Sequence, residues 1–266
     1  MPAGAGYRTR PSLAGDTVRL MLTLVLTRHG STPRSDPEQH LGQRLDLPLS
    51  EAGRSAATAL GARLAGVRFD RIITSPLRRS RETAGLAAPW QEAETDSRLL
   101  EMDYGRWEGL TYAEIEATDG PARRRWEDDP AGLPCPGGES GAQVAARVGS
   151  FLDQLVAWSS GAADAPGAAD AAGATGGPAP ADAPGATGSP PGTGDPRVLV
   201  VAHSSTNRVL LCLAMGVPLR DYRRRFIQAP ANLTVLQFDP DRGPGARLLV
   251  ANDVSHLRGV RGDTWD

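Results

Sequence analysis

The chain of 266 residues contains no lysine: all 29 of its basic residues are arginine. That absence excludes every chemistry built on a lysine, from a Schiff base to the phosphate lysine of a P-loop or a protein kinase. An anion site here must use arginine, histidine or backbone N–H groups, and the planar arginine fork matches phosphate oxygens. Only two cysteines are present, Cys135 and Cys212, with no C-x-x-C pair, which excludes a zinc knuckle or a thioredoxin-like motif. A reduced, cytoplasmic setting is the simplest expectation. Aromatic residues make up 5% of the chain and the net charge is −2. The arginine triplets 123–125 and 223–225 are therefore poor evidence for nucleic-acid binding. They are expected to be solvated helix faces, either of which could reach a second anion on a substrate. No apolar run is long enough to span a membrane. Residues 18–26 are apolar apart from Arg19 and Thr23, but they lead straight into Arg28-His29-Gly30 with no small-residue cleavage site. The end of that run is expected to be a buried strand rather than a signal peptide.

What is present is mostly one strand–helix alternation. A strand over 22–27, a helix over 50–64 with Ser50 as N-cap, and a strand over 69–74 come first. Ser75-Pro76 reads as N-cap and N1 of a second helix. A short strand over 93–97 follows, then two capping boxes, Thr111 with Glu114 and Ser140 with Gln143, the latter opening a helix to about Trp158. A continuous apolar run over 198–202, typical of a central parallel strand, precedes a helix over 206–214. Strands over 233–238 and 247–251, with a turn at 240–244, complete the pattern. The expected fold is α/β, a three-layer α/β/α sandwich with a mostly parallel central sheet. Trp107 and Trp126 are expected to pack in its core.

Residues 160–196 contain only Ala, Gly, Pro, Asp, Thr and Ser. Such a composition cannot bury enough apolar surface to offset the entropy of ordering, so a flexible insertion is expected there. Its flanks, 21–159 and 197–266, are read as one domain, because neither closes a sheet alone. Residues 1–20 are expected to be a disordered leader, with Met21 an alternative start.

Three predicted strands run into chemistry-bearing residues: 22–27 into Arg28 and His29, 69–74 into Ser75 with Arg78 and Arg79 beyond, and 198–202 into His203. If these strands are parallel, their ends share the carboxyl edge of the sheet, where α/β proteins bind ligands. Two histidines among arginines suit a phosphate ester. Arginines hold phosphoryl oxygens, a neutral imidazole can attack phosphorus, and a carboxylic acid can protonate the leaving alkoxide. Glu101, Asp103 and Glu108 are the nearby acids; His40 and His256 read as structural or loop residues, with His40 retained as a substrate-contact candidate.

The motifs "LVLTRHGST", "LPLSEAG", "SPLRRSRETA", "LLEMDYGRWEG", "PGGES" and "VLVVAHSS" occur in the order found in the histidine phosphatase superfamily. The chain resembles the phosphoglycerate mutase-like branch of that superfamily, over about residues 22–158 and 197–251. The resemblance implies that His29 is the nucleophile that becomes phosphorylated. It implies that Arg28, Arg79 and His203 hold the phosphoryl group and that Glu101 is the proton donor. Arg79 is favoured over Arg78 by its position in the motif. The Ser204 N–H, and Ser35 where many relatives have a phosphate-contacting Asn, are further substrate-binding candidates; Asp103 and Glu108 are expected to be solvated. Ser31 and Ser204-Ser205 also depart from the usual pattern. The expected activity is a metal-independent phosphomonoesterase, a histidine acid phosphatase-type hydrolase, on a small phosphorylated metabolite through a phosphohistidine. No cofactor, metal, nucleic acid or membrane is expected, and a homodimer is one assembly that would fit. A cofactor-dependent phosphoglycerate mutase is the alternative, although the 107–136 stretch is short for one. A phosphate-binding module without turnover is a further alternative.

Overall fold

The computed structural model describes residues 20–161, 194–243 and 245–258. Residues 1–19, most of the 160–196 segment, Pro244 and residues 259–266 lie outside the described residues, and the expectations placed on them go with them. Six strands form one mixed sheet: β1 (Leu22–Arg28), β2 (Arg71–Thr74), β3 (Glu94–Thr95), β4 (Arg197–Ala202), β5 (Leu233–Phe238) and β6 (Ala246–Asp253). Their spatial order is β3-β2-β4-β1-β5-β6. The first four are parallel, and β5 and β6 close the sheet antiparallel. β4, from the far side of the 160–196 segment, lies between β1 and β2.

The central strands are apolar on both faces because helices cover both. Alternate residues divide accordingly. Leu22, Leu24 and Leu26, with Val198, Val200 and Ala202, pack with α4 (Gly141–Ser159) and α5 (Ser204–Met215). Val25, Leu199 and Val201 face the opposite layer, built from α1 (Glu51–Leu64) and α2 (Arg78–Ala87). The buried positions of α1 (Gly53, Ala56, Ala57, Leu60, Gly61, Leu64) recur at helical spacing. The expected sandwich is the one found.

Local signals explain the boundaries. Ser50 caps α1 by accepting from Gly53 N–H, and both predicted capping boxes form, at Thr111 for α3 (Tyr112–Asp128) and at Ser140 for α4. α3 is kinked at Asp119, two residues before Pro121, whose missing N–H breaks the helical ladder. Trp107 and Trp126 are buried edge to face, 5.6 Å between ring centroids. One boundary differs from expectation. α2 begins at Arg78 with Leu77 as N-cap, not at Ser75-Pro76. The chain leaves β2 extended for one more step, and the Ser75 hydroxyl is directed to His203 instead of a helix end. A short helix, α6 (Tyr222–Arg225), precedes β5. No described helix is long and apolar enough to cross a membrane.

The β1–α1 connection is pressed hard against the start of α1. A Cβ built on Gly53 would stand 2.0 Å from the Ser31 carbonyl oxygen, a backbone atom that cannot give way cheaply. Gly53→Ala is therefore expected to lower unfolding stability by roughly 1–3 kcal/mol. Urea denaturation followed by circular dichroism checks this; an unchanged midpoint would contradict the close approach.

Candidate active site

Register places the strand ends side by side: Arg28 pairs with Ala202, and Thr74 with Val201. The ladder continues one residue further, with His29 N–H donating to Ala202 O at 2.9 Å and Ser75 N–H to Val201 O at 3.0 Å. His29 and His203 are thus brought together, their rings 5.1 Å apart between centroids and inclined at 61°. Both are buried. His29 Nδ1 lies 2.7 Å from its neighbour's carbonyl, Gly30 O. A carbonyl only accepts, so Nδ1 carries the proton and Nε2 keeps its lone pair. Burial, then the charges of Arg79 and Arg28, hold the His29 imidazole well below the usual histidine pKa, against the opposing pull of the Gly30 bond. Burial, Arg79 and His29 do the same to His203. His203 Nε2 is 2.8 Å from Ser75 Oγ and 3.3 Å from Ser80 Oγ, while its buried Nδ1 has no partner among the described residues.

Arg28 enters the site anchored on two sides. Its guanidinium donates to Gln228 O at 3.0 Å and to Glu38 Oε1 at 2.9 Å. Arg79 is buried beneath the cleft rather than lining it. Its terminal nitrogens donate to Leu45 O at 3.0 Å and Gly42 O at 2.7 Å, and burial lowers its pKa. Its charge still bears on both histidines. Arg78, by contrast, is an exposed residue paired with Glu82 on its own helix.

Glu101 is buried at the N-terminus of α5. Oε1 accepts from Met102 N–H at 2.9 Å and Thr206 N–H at 3.1 Å, and Oε2 from Ser205 N–H at 3.2 Å. Every one of these partners is a donor. The other two acids correct the expectation of solvated side chains. Half-buried Glu108 accepts backbone N–H bonds from Arg44 at 2.6 Å and Leu45 at 2.7 Å, and Asp103 accepts from Gly105 N–H at 2.7 Å. Glu108 thus spends Oε1 on loop backbone while its buried Oε2 has no partner among the described residues, and Asp103 adds an ion pair with Arg44.

Around His29 opens a cleft of about 100 Å³. Ser35 and Ser204 line it, together with Arg28 and Glu101. Ser35 Oγ accepts from Thr32 N–H at 2.9 Å, so that hydroxyl also holds its own turn. His40 lies on the loop after β1 and forms part of the cleft wall, standing edge-on to Tyr104 (4.8 Å) and Tyr112 (4.6 Å). Burial above all brings its pKa down to about 4. His256 lies elsewhere, bonded to Ala231 O. Arg224 and Arg225 are exposed as expected, but Arg223 is not a solvated residue: it lies 4.3 Å over the Trp126 ring and reaches the cleft. Sequence reasoning missed Arg208, Tyr104 and Tyr112. Arg208 had a readable signal, since it falls four residues after Ser204 on the same helix face. Among the described residues no three of His, Cys, Asp and Glu converge as metal ligands.

A family model described as histidine phosphatase superfamily (branch 1) matches residues 24–163 and 189–252. The bifunctional protein Rv2228c of Mycobacterium tuberculosis is 38% identical over 239 residues, which are 88% of this chain and 54% of that protein. The chain thus spans about half the length of that relative. Glucosyl-3-phosphoglycerate phosphatase of Mycobacterium tuberculosis is 39% identical over 154 residues, 54% of this chain and 65% of that one. A solved mycobacterial glucosyl-3-phosphoglycerate phosphatase in complex with inorganic phosphate superposes with a TM-score of 0.67 at 29% identity, covering 88% of this chain and 98% of that one.

Buried neutral histidines make stability depend on pH. The unfolded chain binds protons near 6.5, whereas folded His40 does so only at about 4. Its contribution is complete above pH 6.5 and is lost as pH falls toward 4, amounting to about 3 kcal/mol. His29 and His203, also lowered, act in the same direction. Urea melts at pH 7, 5.5 and 4.5 should show this decline, and His40→Phe should make it shallower; an identical slope in that variant would contradict a neutral, buried His40.

Proposed function

Because the chain belongs to the histidine phosphatase superfamily, branch 1, we propose that it is a phosphomonoesterase for a small phosphorylated metabolite, acting through a phosphohistidine without a metal. The observation that carries this reading is the His29 tautomer: the Nδ1–H bond to Gly30 O leaves Nε2 with a lone pair in an arginine-lined cleft. Relatives named as glucosyl-3-phosphoglycerate phosphatase, one of them solved with inorganic phosphate, support the substrate class. The two free cysteines are both buried, which fits the cytoplasmic setting expected from their number.

In the first half-reaction the Nε2 lone pair of His29 attacks phosphorus, and the bond from phosphorus to the alcohol oxygen breaks. Arg28, with Arg79 behind it, balances the negative charge on the remaining oxygens, and neutral His203 serves them as a hydrogen-bond donor. Glu101 gives its proton to the departing oxygen. For that step one Glu101 oxygen turns from the α5 N–H groups toward the leaving group. In the second half, water attacks phosphorus, the bond to Nε2 breaks, and Glu101 takes the water's proton. The all-donor surroundings of Glu101 suit this second role as they stand. Because burial and arginine charge keep His29 neutral, its lone pair is available in mildly acid solution.

His29→Ala is expected to lower p-nitrophenyl phosphate hydrolysis by about 10³-fold or more. Denaturing quench of the wild type with labelled substrate should leave phosphate on His29, and EDTA should change nothing. Label on another side chain, or equal rates in the variant, would reject the mechanism. Glu101→Gln should lower kcat/KM, which reports the first half-reaction alone, by about 10²-fold on an alkyl phosphate, whose leaving group needs the proton, and much less on p-nitrophenyl phosphate. Equal losses on both would remove Glu101 from the acid role.

A further inference from the structure

The groups assigned to the reaction do not rest on equally regular structure. His29 and His203 continue strands, whereas Glu101 lies in residues 100–104, an irregular stretch between the 3-10 turns Ser97–Leu99 and Gly105–Trp107. Backbone groups with no ladder to join must find partners elsewhere when water is excluded. Here one ion pair supplies most of them. Arg147, on α4, donates through Nη1 to Arg98 O and Leu100 O, both at 2.7 Å, and through Nη2 to Glu101 O at 3.1 Å. Its Nε and Nη2 also meet the two carboxylate oxygens of Glu139, each at 3.0 Å. Glu139 in turn grips Asp103 twice. Its Oε2 accepts the Asp103 N–H at 2.9 Å, and its own N–H donates to Asp103 O at 2.8 Å. Gln43 closes the frame, with Nε2 donating to Glu101 O at 2.8 Å and to Glu139 Oε2 at 3.2 Å. Leu100 O takes the Thr206 hydroxyl as well, at 2.6 Å.

The Glu101 carboxylate has its own partners, the N–H groups of Met102, Ser205 and Thr206. Those donors favour the ionised form. In the donor step one oxygen turns away from them, and the main chain of the segment is then what keeps the acid in place. The clamp on that main chain is stiff. Its two halves meet in a bidentate pair. Arg147 is flanked on α4 by the buried Val144 and Val148, and Glu139 directly precedes the Ser140 cap. Neither residue lines the cleft.

We propose that Arg147 and Glu139 are positioning residues for the proton donor: by holding the main chain of residues 98–103 they keep the Glu101 carboxyl within reach of the leaving oxygen. The inference rests on the acid role of Glu101 in the phosphatase reading. A misplacement of about 1 Å in a reacting group lowers the rate by as much as about 10²-fold. Here the loss falls on substrates whose leaving group needs the proton.

Two substrates and a double-mutant cycle test this. Arg147→Met is expected to lower kcat/KM for propyl phosphate about tenfold more than for p-nitrophenyl phosphate, whose phenolate leaves without a proton. Arg147→Lys, with an ammonium in place of the fork, should restore part of the difference. In a Glu101→Gln background, Arg147→Met should add less than about twofold on propyl phosphate, because the group it positions is gone. Glu139→Gln should show the same substrate-dependent loss. Both Glu139 oxygens face donors, so the new NH2 group meets a donor whichever way the amide flips. That variant decides the question by the same ratio if Arg147→Met does not fold. Residues that only support the fold would lower both substrates together, by the same factor with or without the Glu101 carboxyl, and that pattern would overturn the inference. If Glu101→Gln itself does not separate the two substrates, the acid role fails and the positioning falls with it. A selective loss in Glu101→Gln beside an unselective one in Arg147→Met and Glu139→Gln sinks the positioning alone.

Discussion

The parallel pairing of β1 with β4 is the constraint from which the site follows. With Arg28 opposite Ala202, the next residue of each strand is a histidine, and the two rings meet 5.1 Å apart. Side chains alternate along a strand, so a slip of one residue would send one imidazole into the opposite helical layer. The register is held by apolar burial on both faces, with Leu24, Leu26, Val198 and Val200 toward one layer and Val25, Leu199 and Val201 toward the other. The same burial that fixes the register strips water from both imidazoles and keeps them neutral. Positive charge for an anion must then come from arginine, the only other cation this sequence has.

Placing arginine there needs a supporting frame, and its parts are linked. Glu108 accepts the N–H groups of Arg44 and Leu45, which fixes the 41–45 loop over α2. The carbonyls of Leu45 and Gly42, fixed with that loop, then accept from Arg79 and hold it buried below the histidines. Arg28 is held in a similar way, its backbone N–H by Asn232 Oδ1 and its guanidinium by Gln228 O. Asn232, Gln228 and Asn207 are themselves buried and bonded to one another or to Thr234, so the arginine rests on a buried polar network rather than on solvent, although Asn207 Oδ1 and Arg28 Nε have no partner among the described residues. A charge fixed in this way costs little reorganisation when an anion arrives, which is the condition for electrostatic stabilisation of a transferring phosphoryl group.

The parts of this arrangement that local chemistry dictates were readable in the chain. Strand ends, both capping boxes, the Ser50 cap and the two histidines follow from hydrophobic runs and turn residues, which act over a few positions. Ser75-Pro76 misled because Ser followed by Pro suits a helix start, whereas tertiary context took the hydroxyl for His203. Glu108 and Asp103 read as solvated because their partners are backbone N–H groups of loops, which carry no residue signature. Arg223 was hidden in a triplet: one member in three turns inward over Trp126, and only tertiary packing decides which.

This division has a functional consequence. The floor of the site, with His29, His203 and Glu101, hangs on strands and on the N-terminus of α5, elements fixed by the core. The wall comes from connections and short helices: Ser35 and His40 after β1, Tyr104 and Tyr112 around the start of α3, Arg223 in α6. Substitutions on such segments disturb the core little, whereas a change at the floor alters the register or the charge frame. On the proposed function, reaction type falls to the core-anchored floor and substrate choice to the connections that form the wall. Arg208 is the exception that joins them, a wall residue on a core helix. Its place in the cleft is set by the same turn of α5 that binds Glu101.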